Sequence, residues 1–177
     1  DTIYWKVISG DKKESADMVK RLSTYFRLAL NRGEDITTLE KELQHIENYV
    51  EIEKYRYKNK IECIIDVDTG IYDFKVPKLL IQPLVENAIK HGVTKKAEGG
   101  TVKLSTKLLD DYYYVIIEDD GVGFDPQNPD YTPDDNHAHV GIQNVTHRLK
   151  TMVNAEISIE SQIDIGTKIT IKIPKGE

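Results

Sequence analysis

The 177-residue chain carries 24 basic and 30 acidic side chains for a formal charge of −6, which argues against a broad nucleic-acid-binding surface and for a protein partner or small ligand. Cys63 is the sole cysteine, so an internal disulfide is excluded and a cysteine-based metal site disfavoured. No apolar run reaches the roughly 20 residues of a membrane span and no signal-peptide pattern opens the chain, so this segment is expected to be cytosolic and to make no direct membrane contact. With Asp1 first and Met18 inside a helical pattern, it reads as part of a longer protein.

From about Ser15 to Asn31, Met18, Leu22, Tyr25, Phe26 and Ala29 recur at helical spacing until Gly33 breaks the run. A second helix, capped by Thr37 or Thr38 and ending near Asn59, carries Leu39, Leu43, Ile46, Val50 and Tyr57 on one side. Together they predict a helical hairpin over residues 1–60. Residues 61–177 then read as a second domain. Ile61 to Val67 is a strand and Asp68-Thr69-Gly70 a turn. Pro77 suits the first turn of a helix reaching Gly92, with a kink at Pro83. Thr101–Leu108 and Tyr112–Asp119 form a hairpin about Asp110-Asp111. The stretch from Asp125 to Val140, broken by Pro126, Pro129 and Pro133, is expected to be a mobile loop. Ile142, Val145, Leu149 and Met152 then predict a short helix opening at Gly141, whose start can face an anion. Ile157 and Ile159, then Ile169, Ile171 and Ile173, alternate as in a sheet covered on one face. The pattern is α/β, a two-layer α/β sandwich.

Two segments carry the chemistry. Glu86-Asn87-Ala88-Ile89-Lys90-His91-Gly92 places an amide and a cation on a helix able to face a metal-bound phosphate. Asp119-Asp120-Gly121-Val122-Gly123-Phe124 ends an apolar strand in a carboxylate and two glycines, suiting an amine-reading acid beside closely approaching backbone. With Gly141 and Gly166-Thr167 they resemble, in order, the N, G1, G2 and closing GT elements of the histidine-kinase/gyrase/Hsp90/MutL ATPases, whose fold is the Bergerat type. LEKELQHIENYVEIEKYRY, PKLLIQPLVENAIKHG and VGIQNVTHRL narrow the resemblance to LytS/YesM-type sensor histidine kinases of bacterial two-component systems.

The resemblance implies a site for ATP and Mg2+. Asn87 would coordinate the metal through its side-chain oxygen, in keeping with the hard cation's preference for oxygen. Asp119 would accept from the adenine amine. Gly121 and Gly123 would permit close backbone approach, Lys90, His91 and Gly141 would lie near phosphate, and Thr167 would make a water-mediated adenine contact. Beside these stand plainer readings: Lys90 as a solvated helix-end cation, Gly92 as a C-cap, Glu86 as a supporting residue, Gly166-Thr167 as a turn and Arg148 as a surface ion pair.

Pro83 stands where gyrase- and MutL-like ATPases and anti-sigma serine kinases carry a glutamate base, so those branches lose support. A histidine kinase needs no such base, because a neutral imidazole is itself the nucleophile. In the resembled family the acceptor histidine precedes the segment matching Asp1-Thr2-Ile3-Tyr4-Trp5, so no phosphoacceptor is expected within this chain. His45 reads as an exposed helical histidine, and His137, His139 and His147 complete no metal set. His139 also stands where the family often has the first glycine of G2.

The expected protein is thus the cytoplasmic catalytic portion of a membrane-anchored, homodimeric sensor, preceded by a partial dimerisation segment and partnered by a response regulator. A non-catalytic interaction module dimerising through the N-terminal helices, and an anti-sigma-type serine kinase, are the alternatives.

Overall fold

The computed structural model describes residues 8, 10, 12–30, 35–57, 60–126 and 137–175, with only the backbone described for 137–144. In chain order the elements are α1 (Lys12–Ala29), β1 (Ile36–Thr38), α2 (Leu39–Arg56), β2 (Ile61–Asp66), β3 (Lys75–Pro77), α3 (Gln82–Asn87), β4 (Gly100–Leu109), β5 (Tyr112–Asp119), α4 (His137–Val153), β6 (Glu156–Gln162) and β7 (Gly166–Pro174). Five strands form one sheet in the order β2-β4-β5-β7-β6, parallel between β2 and β4 and antiparallel elsewhere. Helices cover one face, as expected of a two-layer α/β sandwich.

The covered face is apolar because strand side chains alternate. Val102 and Leu104, Val115 and Ile117, and Ile169, Ile171 and Ile173 meet Leu84 and Val85 of α3, Ile89 just beyond it, and Val145 and Leu149 of α4 in one cluster. Leu39, Leu43, Ile46, Tyr49 and Val50 place α2 in that same core. Thr38 is the cap, its hydroxyl accepting from the Lys41 N–H at 3.3 Å. The helix is assigned through Arg56, and its expected end at Asn59 lies outside the described residues. Asp110-Asp111 joins β4 to β5 with Leu109 opposite Tyr112 and Asp110 at φ +53°, as a two-residue hairpin turn favours.

The helix α1 runs antiparallel to α2, with Tyr55 Oη 3.4 Å from Asp17 and the Arg21 guanidinium 2.7 Å from Asp17 and 4.0 Å from Glu51. Of its residues only Ser15 and Met18 are buried, while Val19 and Phe26 remain exposed. Among the described residues, no helix is long and apolar enough to cross a membrane.

Two element starts differ from expectation. Pro77 ends β3, paired with Ile36 of β1, and α3 begins only at Gln82 with Pro83 in its first turn. The physical reason is the pairing of Val76 with Thr37 and Pro77 with Ile36, which holds that segment extended, whereas Pro83 sits where a missing N–H costs nothing. Gly141 does not open a helix either. The α4 helix begins at His137, so Gly141 lies one turn inside it. Residues 137–140, expected in the loop, contain no glycine or proline to prevent that turn. The remainder of that expected loop, 127–136, lies outside the described residues.

The entry to α3 is gripped from both sides. Glu42 of α2, 2% exposed, accepts from the backbone N–H groups of Leu79 (3.0 Å), Ile81 (3.0 Å) and Gln82 (3.4 Å). Burial raises its pKa, and these N–H groups oppose that rise. Arg148 of α4, expected in a surface ion pair, instead donates to the carbonyls of Lys78 (2.8 Å) and Leu79 (3.4 Å). Glu42→Gln turns an amide N–H2 towards one of these donors and should cost about 2 kcal/mol of stability. Urea unfolding measures this, and an unchanged midpoint would deny the grip any energetic weight.

Candidate functional site

The two segments singled out in the sequence meet at the end of β5. After Asn87 the helix widens into a π-turn over Ala88–Gly92 and tightens into a 3-10 turn over Val93–Lys95. Gly92 therefore does not end the helix as a left-handed C-cap; its φ is −93°. Its Cα lies against Asp119, where an added Cβ would stand 2.6 Å from Oδ1. A Cβ on Gly121 would overlap the Gly92 backbone and approach Asp119 Oδ1 at 2.7 Å. The two glycines thus form a cradle around a carboxylate that any side chain would fill.

Asp119 ends β5 directly opposite Thr167 of β7. Its Oδ1 accepts from the Gly121 N–H at 3.0 Å. Burial raises its pKa to about 6, opposed by the Gly121 backbone N–H, reinforced by the neighbouring Asp120 charge and opposed again by the Thr167 N–H. A carboxylate accepts about four hydrogen bonds, so two backbone donors leave capacity for an amine. Asp120 has a different task. Its Oδ1 accepts from the Thr101 N–H at 2.7 Å, tying the turn to β4.

Ser161 was not anticipated. Its hydroxyl accepts from the Phe124 N–H (2.9 Å), lies 3.1 Å from the Gly166 carbonyl and stands 2.9 Å from Thr167 Oγ1. It joins the segment after Asp119 to the β6–β7 turn. Only the pairing of Ser161 with Thr167 reveals it, because a serine on an edge strand carries no local signal. Gly123, at φ +57°, packs against the Gln162 carbonyl in the same junction. A depression of about 310 Å³ surrounds this corner, and its Glu118, Glu160 and Lys168 lining alternates onto the sheet face away from the helices.

Asn87 is half-buried, and its Nδ2 has no hydrogen-bond partner among the described residues. The amide is therefore not used up by the fold, and rotation about its terminal bond exchanges nitrogen for oxygen. A buried amide with unmet capacity and a glycine-lined carboxylate fit a metal-bound nucleotide that presents an exocyclic amine. Lys90, expected near phosphate, donates to Glu86 at 2.9 Å. His91 is half-buried and His147 exposed, while the side chains of His137 and His139 lie outside what is described.

The histidine expected to be exposed is not. His45 is 2% exposed and stacks on Tyr25 with centroids 4.3 Å apart and planes 14° from parallel. Burial lowers its pKa, favouring the neutral ring. The local sequence concealed this because the covering ring belongs to α1.

Comparison with known proteins places these features in context. Residues 1–61 match the histidine kinase family, and residues 73–177 match the histidine kinase-, DNA gyrase B- and HSP90-like ATPases. The chain is 36% identical to the uncharacterised protein YwpD of Bacillus subtilis over 94% of its own length and 61% of that protein. It is 31% identical to sensor histidine kinase BtsS of Escherichia coli and 25% to sensor histidine kinase YesM of Bacillus subtilis, covering 29% and 30% of their lengths. Among solved structures, the catalytic domain of histidine kinase ThkA superimposes with a TM-score of 0.60 at 17% identity, covering 79% of this chain and 95% of that one. The histidine kinase domain of the blue-light activated kinase of Erythrobacter litoralis EL346 gives 0.57 at 20% identity, covering 90% and 74%.

Proposed function

Because the chain belongs to the histidine kinase-, DNA gyrase B- and HSP90-like ATPase family, we propose that it is the ATP-binding catalytic portion of a two-component sensor histidine kinase. The observation that carries this reading is the Asp119 carboxylate in its cradle of Gly92 and Gly121. The carboxylate selects adenine through the exocyclic amine, and the glycines let backbone close on the ring. Asn87 holds Mg2+ through its amide oxygen. Lys90, His91 and Gly141 serve the phosphates, Gly141 as a point of close approach inside α4, not as a helix start. Gly123 and Thr167 complete the adenine side with Ser161 behind them. Mg-ATP supplies the γ-phosphoryl group, and the protein's task is to position it for a histidine outside this chain.

The whole protein is proposed to be a homodimer anchored in a bacterial membrane, with this portion cytoplasmic, relaying phosphate to a response regulator. Residues 1–60 would contribute to its dimerisation and phosphotransfer region. Pro83, in the first turn of α3, cannot act as a base for a serine hydroxyl, which disfavours the serine-kinase alternative.

Calorimetric titration with ATP, with and without Mg2+, tests the reading. Wild-type protein should bind with a Mg2+ dependence that Asn87→Ala removes. A folded protein with no detectable ATP binding would support the non-catalytic interaction module instead.

A further inference from the structure

Gln82, Glu86 and Lys90 recur at four-residue spacing on the helix that carries Asn87, and they form a chain of contacts leading away from it. Lys90 Nζ donates to Glu86 Oε2 at 2.9 Å, with side-chain exposures of 40% and 26%, and lies 5.8 Å from the Tyr49 ring centroid. Gln82 Nε2 donates to Glu86 Oε1 at 2.6 Å and to Tyr25 Oη at 2.8 Å. Tyr25 belongs to α1. Three side chains therefore connect the N-terminal helix to a lysine three residues from Asn87.

One buried group at this contact lacks a partner. The Tyr49 hydroxyl is buried beside this contact without a hydrogen-bond partner among the described residues, while the buried His45 ring faces the Gln82 side chain and the Tyr25 backbone. Such a group penalises the docked arrangement and would be relieved by water on separation. The helix α1 buries only Ser15 and Met18, and it meets α2 through polar contacts at Asp17 and Arg21 and the Tyr25 stack on His45.

Resting on the nucleotide-site reading above, we propose that Glu86 holds Lys90 in reserve and that Tyr25, through Gln82, sets the strength of that hold. Gln82 and Glu86 are positioning residues. The lysine's long stem lets the ammonium leave Glu86 for a nucleotide phosphate, and α1 docking opposes that move. Movement of α1 would thus alter phosphate binding without touching the nucleotide.

Calorimetry with Mg-ATP on wild type, Glu86→Gln, Tyr25→Phe and Lys90→Met, and on the two combinations with Lys90→Met, tests this. Both first substitutions nearly preserve shape, and melting curves confirm folding. Glu86→Gln should tighten binding about two- to fivefold, the range of a partly exposed ion pair, and Tyr25→Phe should tighten it less. Lys90→Met should weaken binding and abolish both gains, which a merely structural role for Glu86 would not produce. Gains that persist without Lys90, no gain from either substitution, or a gain from Glu86→Gln alone would each overturn the relay. A Lys90→Met protein that binds like wild type would overturn it while leaving the nucleotide site intact. Failure of wild type to bind Mg-ATP would remove the site reading and this inference together.

Discussion

Asp119→Asn is expected to weaken ATP binding by roughly 10- to 150-fold in a protein that still folds. The figure follows from a hydrogen bond to a charged acceptor, about 1.5–3 kcal/mol. The amide keeps an oxygen for the Gly121 N–H but loses the charge that the adenine amine would meet. Stability should respond to pH through the same carboxyl. The wild-type carboxyl has its pKa raised to about 6, above the ordinary 3.8, so the folded state retains a proton that the unfolded chain releases. Wild-type stability therefore falls as pH rises from about 4 to about 6 and stays at the lower level above it, whereas this contribution is absent from Asp119→Asn. Affinity runs the other way, declining below about pH 6 as the acceptor is protonated. Titrations and thermal melts at pH 5 and 7.5 read both. A variant that bound ATP normally would remove Asp119 from the site, and one that melted far below wild type would make the residue structural.

Gly166→Ala should destabilise the fold more than any surface change, by roughly 3–5 kcal/mol in urea unfolding. Two costs coincide there. The residue has φ +133°, outside the range of L side chains, and a Cβ would overlap the Asp119 carbonyl and approach Asp120 Cα at 3.0 Å. Gly10→Ala is the control: φ is +84° but nothing lies within 4 Å, so only the conformational cost remains, about 1 kcal/mol. Equal losses at the two positions would show that the close approach of β7 to Asp119 contributes nothing.

Features decided within a few residues were legible in the sequence. Thr38 before a helical stripe, the Asp110-Asp111 turn and the alternation through Ile169, Ile171 and Ile173 each depend on neighbours alone. The meeting of the two singled-out segments belongs here too, since Gly92 and Gly121 pack on Asp119. What escaped depends on partners far along the chain. Pro77 and Pro83 are equally able to open a helix, and the pairing of β1 with β3 decides between them. His45 and Glu42 look like solvent-facing helix residues until α1 and the turn before α3 cover them. Ser161 becomes meaningful only when the register sets it beside Thr167. Lys90 was assigned by type, but its observed partner follows from the row it shares with Glu86.

The position of β7 carries a consequence for how the protein is made. It is the last of the five strands in the chain, yet it lies between β5 and β6. Asp119 acquires its neighbour Thr167, and Gly166 closes on the Asp119 carbonyl, only once β7 has inserted. A ribosome-bound chain halted after α4 would already contain Asn87, Asp119 and Gly121 but would still lack Thr167 opposite Asp119. Its inner β5 edge would stand open to other strands, a hazard during synthesis. Long-range pairing also slows folding. On the reading proposed above, nucleotide recognition should therefore appear only after β7 has paired with β5.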